Sequence, residues 1–190
     1  MNGDFESGFT GGIGNGWILQ SDGSTAYSAS QDAGHQGSGQ KIQITTPGSW
    51  GLFLYQTPAF QAGQSYDLSF WYKTQGGELW VQVTDGPTSQ IVLSQQLADT
   101  NGQWAYYTTS FQYTNPLADQ ARFFSDVAGT YWIDDVLLIS AQQCHPSDSD
   151  CDGCVSGTEL SAFIGLWYLD SSNPTLKELI EAIGLWKRGC

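Results

Sequence analysis

From residue 1 to 140 the chain alternates runs of apolar, aromatic and β-branched residues with clusters of Gly, Pro, Asn and Asp, a punctuation that predicts strands separated by turns. Strands are predicted at Lys41–Thr45, Gly51–Gln56, Ser65–Thr74, Leu79–Thr84, Ile91–Gln96, Trp104–Tyr113, Ala121–Ser125 and Thr130–Ile139. In Tyr66–Tyr72 a period of two puts Leu68 and Phe70 on one face and Asp67, Ser69 and Trp71 on the other. In Leu79–Thr84 it puts Leu79, Val81 and Val83 inward and Trp80, Gln82 and Thr84 outward. Eight such strands without a helical period predict an antiparallel β-sandwich of jelly-roll type, with Trp17, Trp104 and Trp132 in its core.

Beyond residue 141 the period changes. Ser156 to Trp167 and Thr175 to Trp186 align at a constant offset of nineteen residues, and each copy reads as a short amphipathic helix. Ser156 with Glu159, and Thr175 with Glu178, have capping-box spacing, in which hydroxyl and carboxylate satisfy the free N–H groups of a helix start. Leu160, Phe163, Ile164 and Trp167 share a face, as do Leu179, Ala182, Ile183 and Trp186. Helices this short are expected to bury these stripes against each other, which makes Trp167 and Trp186 core residues. The chain is thus divided into a β-sandwich (1–140), a linker (141–147) and a helical pair (148–190).

The helical part opens on Asp148-Ser149-Asp150-Cys151-Asp152-Gly153-Cys154-Val155-Ser156-Gly157-Thr158-Glu159, which meets each side-chain requirement of a twelve-residue calcium loop. Asp148, Asp150 and Asp152 occupy positions one, three and five, and Gly153 makes the sharp turn. Cys154 ligates through its carbonyl, Ser156 directly or through water, and Glu159 by both oxygens. This loop and the repeated helix resemble the dockerin modules of extracellular polysaccharide-degrading assemblies and, more loosely, the EF-hand. The resemblance covers about residues 145–188. The second copy departs from it, because Asp170-Ser171-Ser172-Asn173-Pro174 lacks alternating carboxylates. One calcium ion is therefore expected, and the loss weakens the expectation of a dockerin-style protein partner that uses both halves.

Charge narrows the function classes. Of the 190 residues, 19 are acidic and 6 basic; a balance this acidic excludes a nucleic-acid surface, which needs cations to displace counterions. No apolar run reaches transmembrane length, so no membrane insertion is expected. No signal-peptide pattern is present, and Met1-Asn2-Gly3-Asp4 reads as the start of a mature or trimmed chain. All four cysteines, Cys144, Cys151, Cys154 and Cys190, fall in the C-terminal part. Their even number predicts disulfides in an oxidising, extracellular or cell-surface compartment, with three connectivities open. Cys151 and Cys154 with His145 and Cys190 also have zinc-ligand spacing, but those cysteines interleave with a complete calcium loop.

Asn2-Gly3-Asp4-Phe5-Glu6-Ser7-Gly8, Gly16-Trp17, the Tyr66–Lys73 strand and the closing Tyr131-Trp132-Ile133-Asp134-Asp135-Val136 resemble the carbohydrate-binding modules with a galactose-binding-like β-sandwich. That resemblance implies a structural calcium held by Glu6 and Asp134, with Asp135 the less favoured choice. It also implies a polysaccharide or glycan partner, whose rings stack on aromatic side chains while amides and carboxylates read the hydroxyls. Trp71, Trp80 and Gln82 fit such a sheet face, and Trp50, after Pro47-Gly48-Ser49, flanks it.

Catalysis is not expected. Glycosidases place two carboxylates across the scissile bond, whereas the sandwich has only Glu6 and Glu78 as glutamates and most of its aspartates lie in turns. Neither His35 nor His145 has a nucleophile constellation. Two readings remain: a glycan-binding module joined to a calcium-dependent docking or anchoring device, or a self-associating structural subunit of an extracellular filament, surface coat or adhesin. In the second, a chain start that lacks lead-in strand residues leaves a sheet edge for a neighbour.

Overall fold

The computed structural model describes residues 3–84, 91–140, 146–149, 155–169 and 174–188. The chain divides into two compact units, residues 1–141 and 142–190. Among the described residues no helix is long and apolar enough to cross a membrane.

The first unit is an antiparallel β-sandwich. Its strands are β1 (Phe9–Thr10), β2 (Ile13–Gly14), β3 (Ile18–Ser21), β4 (Ala26–Ala33), β5 (Ser38–Thr46), β6 (Leu52–Gln56), β7 (Ser65–Gln75), β8 (Leu79–Thr84), β9 (Ile91–Leu97), β10 (Ala105–Gln112), β11 (Gln120–Ser125) and β12 (Gly129–Ser140). One five-stranded sheet runs β3-β6-β11-β8-β9 and the other β10-β7-β12-β5-β4, while β1 and β2 form a small hairpin. The eight predicted strands are β5 to β12. The first four lacked a signal: β1 and β2 have two residues each, and β4, an edge strand of Ser, Gln, Asp and Ala with a single aromatic, Tyr27, shows no apolar alternation.

The inner faces meet through Leu52 and Leu54 of β6, Leu68 and Phe70 of β7, Val81 and Val83 of β8, Phe123 of β11, and Tyr131 and Ile133 of β12. Phe70 of one sheet meets Phe123 of the other edge to face, centroids 4.8 Å apart. The N-terminal segment closes one side of this core. Phe5, fully buried at a positive φ of 54°, stacks between Phe9 and Trp17, and Gly3 O accepts the Val136 N–H at 2.8 Å. Trp17 is thereby core as expected. Trp132 is buried as expected, 9% exposed, but neither it nor Trp104 is a member of that cluster. Tyr131 and Ile133 point inward, so Trp132 between them must point out, where Lys41 and Lys73 cover it.

One buried polar side chain ties the hairpin to the sheet. Gln40 has no exposed surface; its Oε1 accepts the Gly14 N–H at 2.9 Å, and its amide group lies within donating distance of the Gly12, Ser30 and Lys41 carbonyls. In β12 the pairing with β7 shifts between Asp134 and Leu137, around Asp135 at φ 51°. This bulge lets Ile133 and Val136, three positions apart, both face the core.

The second unit contains α1 (Gly157–Leu169) and α2 (Leu176–Arg188). Both capping boxes form. Ser156 N–H donates to Glu159 at 2.9 Å while Glu159 N–H donates to Ser156 Oγ at 3.2 Å, and Thr175 and Glu178 repeat the exchange. Val155, Leu160, Phe163, Leu179 and Ala182 form the small core, with Trp167, Ile183 and Leu185 packed on it. Two expectations are corrected: Ile164 is 41% and Trp186 46% exposed. Apolar residues continue around α1 through Ile164, Leu166, Tyr168 and Leu169, and one neighbouring helix covers only one stripe.

Gln40→Leu keeps the volume but leaves the Gly14 N–H and up to three carbonyls without that partner. It is expected to destabilise the sandwich by about 2–4 kcal/mol in urea unfolding followed by tryptophan fluorescence.

Candidate functional site

Strand register assembles an aromatic row on the outer face of the β3-β6-β11-β8-β9 sheet. Gln20, Phe53, Phe124, Trp80 and Gln96 are cross-strand partners in sequence across the five strands. At the usual spacing of about 4.8 Å between strands the row extends about 19 Å. Two residues along the strands runs a second row: Ile18, Tyr55, Arg122, Gln82 and Ser94. Trp50 stacks on Phe53 (4.9 Å, 16° between planes) and Phe53 on Phe124 (5.0 Å, 29°). The Arg122 guanidinium lies 4.3 Å from the Phe53 ring centre, and its Nε–H donates to Gln82 Oε1 at 2.8 Å. Gln82 Nε2 donates in turn to Ser94 Oγ at 3.1 Å, and Gln96 Nε2 to Glu78 at the row's end. The face thus joins flat apolar rings to fixed amide and guanidinium groups, a combination suited to a ligand with apolar C–H faces and a hydroxyl rim.

The loop carrying Trp50 is held from the end of β3. Asp22 Oδ2 accepts the Trp50 N–H at 3.1 Å, while Oδ1 accepts the Ser24 and Thr25 N–H groups and the Thr25 hydroxyl. Desolvation pushes the Asp22 carboxyl up, but the bonds from Trp50, Ser24 and Thr25 outweigh it and hold the group well below the usual carboxylate range.

Trp50, Trp80 and Gln82 therefore share this face. Trp71 does not join them, and the expectation of a single face carrying Trp71 and Trp80 is corrected: β7 and β8 belong to different sheets, so their outward residues point in opposite directions. The Trp71 ring is covered by the His35 imidazole at 3.7 Å and 6°, and Tyr106 lies 5.2 Å away. Beside it Lys73 sits between Trp104 and Trp132, and Trp132 Nε1 donates to Asp32 at 3.1 Å. That bond first, then the Ala33 N–H and Lys41, holds Asp32 down to about 2. Phe53, Phe124 and Arg122 were not anticipated from the sequence, because phenylalanine in a strand reads as core and a lone arginine carries no pattern.

Glu6 and Asp134 both anchor the 34–38 turn. Asp134 has no exposed surface; its Oδ2 accepts the His35 and Gln36 N–H groups and its Oδ1 the Asp135 N–H, while Glu6 Oε1 accepts the Ser38 N–H at 2.6 Å. The turn approaches so closely that a Cβ on Gly34 would meet Asp134 Oδ2 at 2.3 Å and one on Gly37 would meet Glu6 Oε1 at 2.1 Å. Burial pushes the Asp134 carboxyl up to about 6 despite its three N–H donors. Positive-φ Phe5 and Asp135 adjoin the two acids. Among the described residues no group of three or more His, Cys, Asp or Glu side chains is arranged around one point.

Of the expected calcium loop, Asp148, Ser156 and Glu159 are described, whereas Asp150, Asp152 and Cys154 lie outside the described residues, as do His145 and all four cysteines. Glu159 spans the loop: Oε1 accepts the Ser149 N–H and hydroxyl, both at 2.7 Å, and Oε2 the Ser156 N–H. These bonds, the Ser156 N–H first, hold its carboxyl at about 2. The last loop position is thereby bonded to the second and the ninth through both of its carboxylate oxygens.

A family model described as a carbohydrate binding domain matches residues 1–127. Among solved structures, the chain is similar to one described as "CBM4 structure and function", with TM-score 0.60 and 19% identity over 74% of this chain and 99% of that one. It is also similar to the enzymatically active domain of tailspike protein 4 of bacteriophage CBA120 (TM-score 0.54, 17% identity, 74% of this chain and 21% of that one). A Stig cyclase of Fischerella sp. TAU matches at TM-score 0.55 and 15% identity, over 74% of this chain and 94% of that one. At these identities the structural likenesses show the β-sandwich fold. No curated protein matches the chain.

With its carboxyl raised from 3.8 to about 6, folded Asp134 holds a proton that the unfolded chain releases, so its contribution to stability falls as pH rises through that window. In chelator, wild type is expected to lose on the order of 2–3 kcal/mol relative to Asp134→Asn between pH 4 and 7 in urea titrations. A difference that stays flat with pH would show that Asp134 does not titrate in this range.

Proposed function

The chain belongs to the carbohydrate binding domain family, and from that premise we propose that it is a non-catalytic, extracellular or cell-surface protein. Its sandwich binds an extended glycan across the outer face of the β3-β6-β11-β8-β9 sheet, and its helical unit is a calcium-stabilised docking or anchoring module. The observation that carries the first part is the pair of rows. The strand spacing is close to the length of one pyranose unit, so consecutive sugars of a linear chain run across the outer edges of the stacked Phe53 and Phe124 rings and onto Trp80 in turn. In the next row Arg122 and Gln82, each 8% exposed, turn only a narrow polar edge to the hydroxyls, beside the exposed Ser94. Trp50, stacked at the β6 end, extends the platform. Neither row contains a carboxylate. Glu78 at the margin accepts from Gln96, and Glu6 is bonded to Ser38 in the 34–38 turn, which supports binding without hydrolysis.

Calcium is proposed at two places. Around Asp148–Glu159 the support is the complete ligand spacing of the sequence. At Glu6 and Asp134 it is a buried carboxylate that a cation would relieve, flanked by two residues held at positive φ. A protein partner through the helical pair is supported by the apolar residues α1 and α2 leave exposed, Leu166, Ile180 and Trp186 among them. The alternative, a self-associating structural subunit, draws on β10: this edge strand of eight residues has no charge, Gly or Pro to deter pairing.

Isothermal titration with soluble linear β-glucans and xylans tests the sandwich. Trp80→Ala should weaken binding about tenfold or more, and Trp71→Ala on the opposite sheet should leave it within twofold. Equal affinity in wild type and Trp80→Ala would overturn the assignment of this face. Titrating the chelator-stripped protein with calcium should give a site that Asp148→Ala/Glu159→Ala removes. Sedimentation velocity in the same samples separates the readings, since calcium-driven polymers would favour the structural subunit.

A further inference from the structure

We infer that Asp22, which belongs to neither ligand row, acts as a positioning residue that holds Trp50 in the orientation in which it meets the glycan; this rests on the glycan-binding reading of that sheet face. Trp50 sits on a loop before β6, is 39% exposed, and has Phe53 as its stacking partner. A half-exposed indole on a loop loses conformational freedom when a ligand stacks on it, and that loss weakens binding unless the free protein has already fixed the loop.

The fixing contacts come from the turn that ends β3. Asp22 Oδ2 accepts the Trp50 N–H, and the Asp22 N–H donates to Gly51 O at 3.3 Å. Thr25 Oγ1 accepts the Gly48 N–H at 3.0 Å and lies 3.1 Å from Gly51 O. The loop is thus bonded on both sides of Trp50. Two glycines admit this approach: a Cβ on Gly48 would meet Asp22 Oδ2 at 2.1 Å, and Gly51, at φ 71°, runs so close to β11 that a Cβ would meet Ser125 O at 2.1 Å. The carboxylate bridges the turn to the Trp50 backbone with one oxygen while the other holds the turn itself.

This division of labour supplies a selective variant. In Asp22→Asn the carboxamide oxygen stays on the Ser24, Thr25 and Thr25 hydroxyl donors, which leaves the NH2 group facing the Trp50 N–H, donor against donor. The turn is kept and the tie to Trp50 is lost. Thr25→Val is the second variant; it removes the hydroxyl contacts to Gly48 and to Asp22 Oδ1 and keeps the Ser24, Thr25 and Trp50 N–H donors on the Asp22 carboxylate.

The experiment is a double-mutant cycle read by isothermal titration with the soluble glycan that wild type binds, using Asp22→Asn, Trp50→Ala and the pair, with urea unfolding of each. Asp22→Asn is expected to weaken binding about three- to tenfold in the wild-type background and less than 1.5-fold when Trp50 is already Ala. Thr25→Val should show the same dependence on Trp50, and it carries the test if Asp22→Asn does not fold. An Asp22→Asn loss of equal size in both backgrounds, or no loss while Trp50→Ala weakens binding, overturns the inference and leaves the glycan reading intact. Full affinity in Trp50→Ala also overturns it, because there is then nothing for Asp22 to position. Failure of wild type to bind any glycan of the panel would instead sink the reading on which it rests.

Discussion

Burial of Leu54, Val81 and Phe123 against Phe70, Leu68 and Ile133 is the constraint from which the rest of the sandwich follows. A strand places successive side chains on opposite faces, so fixing these residues inward leaves their neighbours no choice. Phe53, Phe124, Trp80, Arg122 and Gln82 emerge on one outer surface, and Trp71, Lys73, Trp132 and Lys41 on the other. A slip of one residue in β8 would bury Trp80 and expose Val81, losing core and binding face together. The bulge at Asp135 is the place in β12 where this alternation is reset, and beside it lies the fully buried Asp134 carboxylate.

Three carboxylates solve a common problem with different electrostatic outcomes. Asp22, Asp134 and Glu159 each gather backbone N–H groups from a turn or loop that has no ladder partner for them. Asp22 and Glu159 are near solvent, and hydrogen bonding dominates, favouring the charged form. Asp134 has as many backbone donors but no exposure, and desolvation wins. Donor count alone does not set the sign of such a shift; access to water decides which effect prevails.

Strand positions and the inward faces of β7 and β8 were legible because alternation is local. Sheet membership was not: the order β3-β6-β11-β8-β9 joins strands far apart in sequence, and only that order reveals that Trp71 and Trp80 face opposite ways. Arg122 became a site candidate through its contacts with Phe53 and Gln82, which no spacing rule announces. Both capping boxes were legible for the opposite reason, since hydroxyl and glutamate are three residues apart. Trp186 was misassigned because a helical stripe gives direction but not how much surface a single partner helix can cover.

The covered tryptophans of the β10-β7-β12-β5-β4 sheet give the molecule a handedness of adhesion. Trp71 lies beneath His35, and Trp104 and Trp132 flank the ammonium group of Lys73. Those indoles are occupied by the protein's own cationic and imidazole groups, whereas on the other side Trp50, stacked on Phe53, remains 39% exposed and Trp80 is half-buried in the aromatic row. On the proposed reading a sandwich built this way would engage a polymer through one face only, so layers of the protein on a polysaccharide would grow along its surface rather than knit neighbouring fibres into a gel.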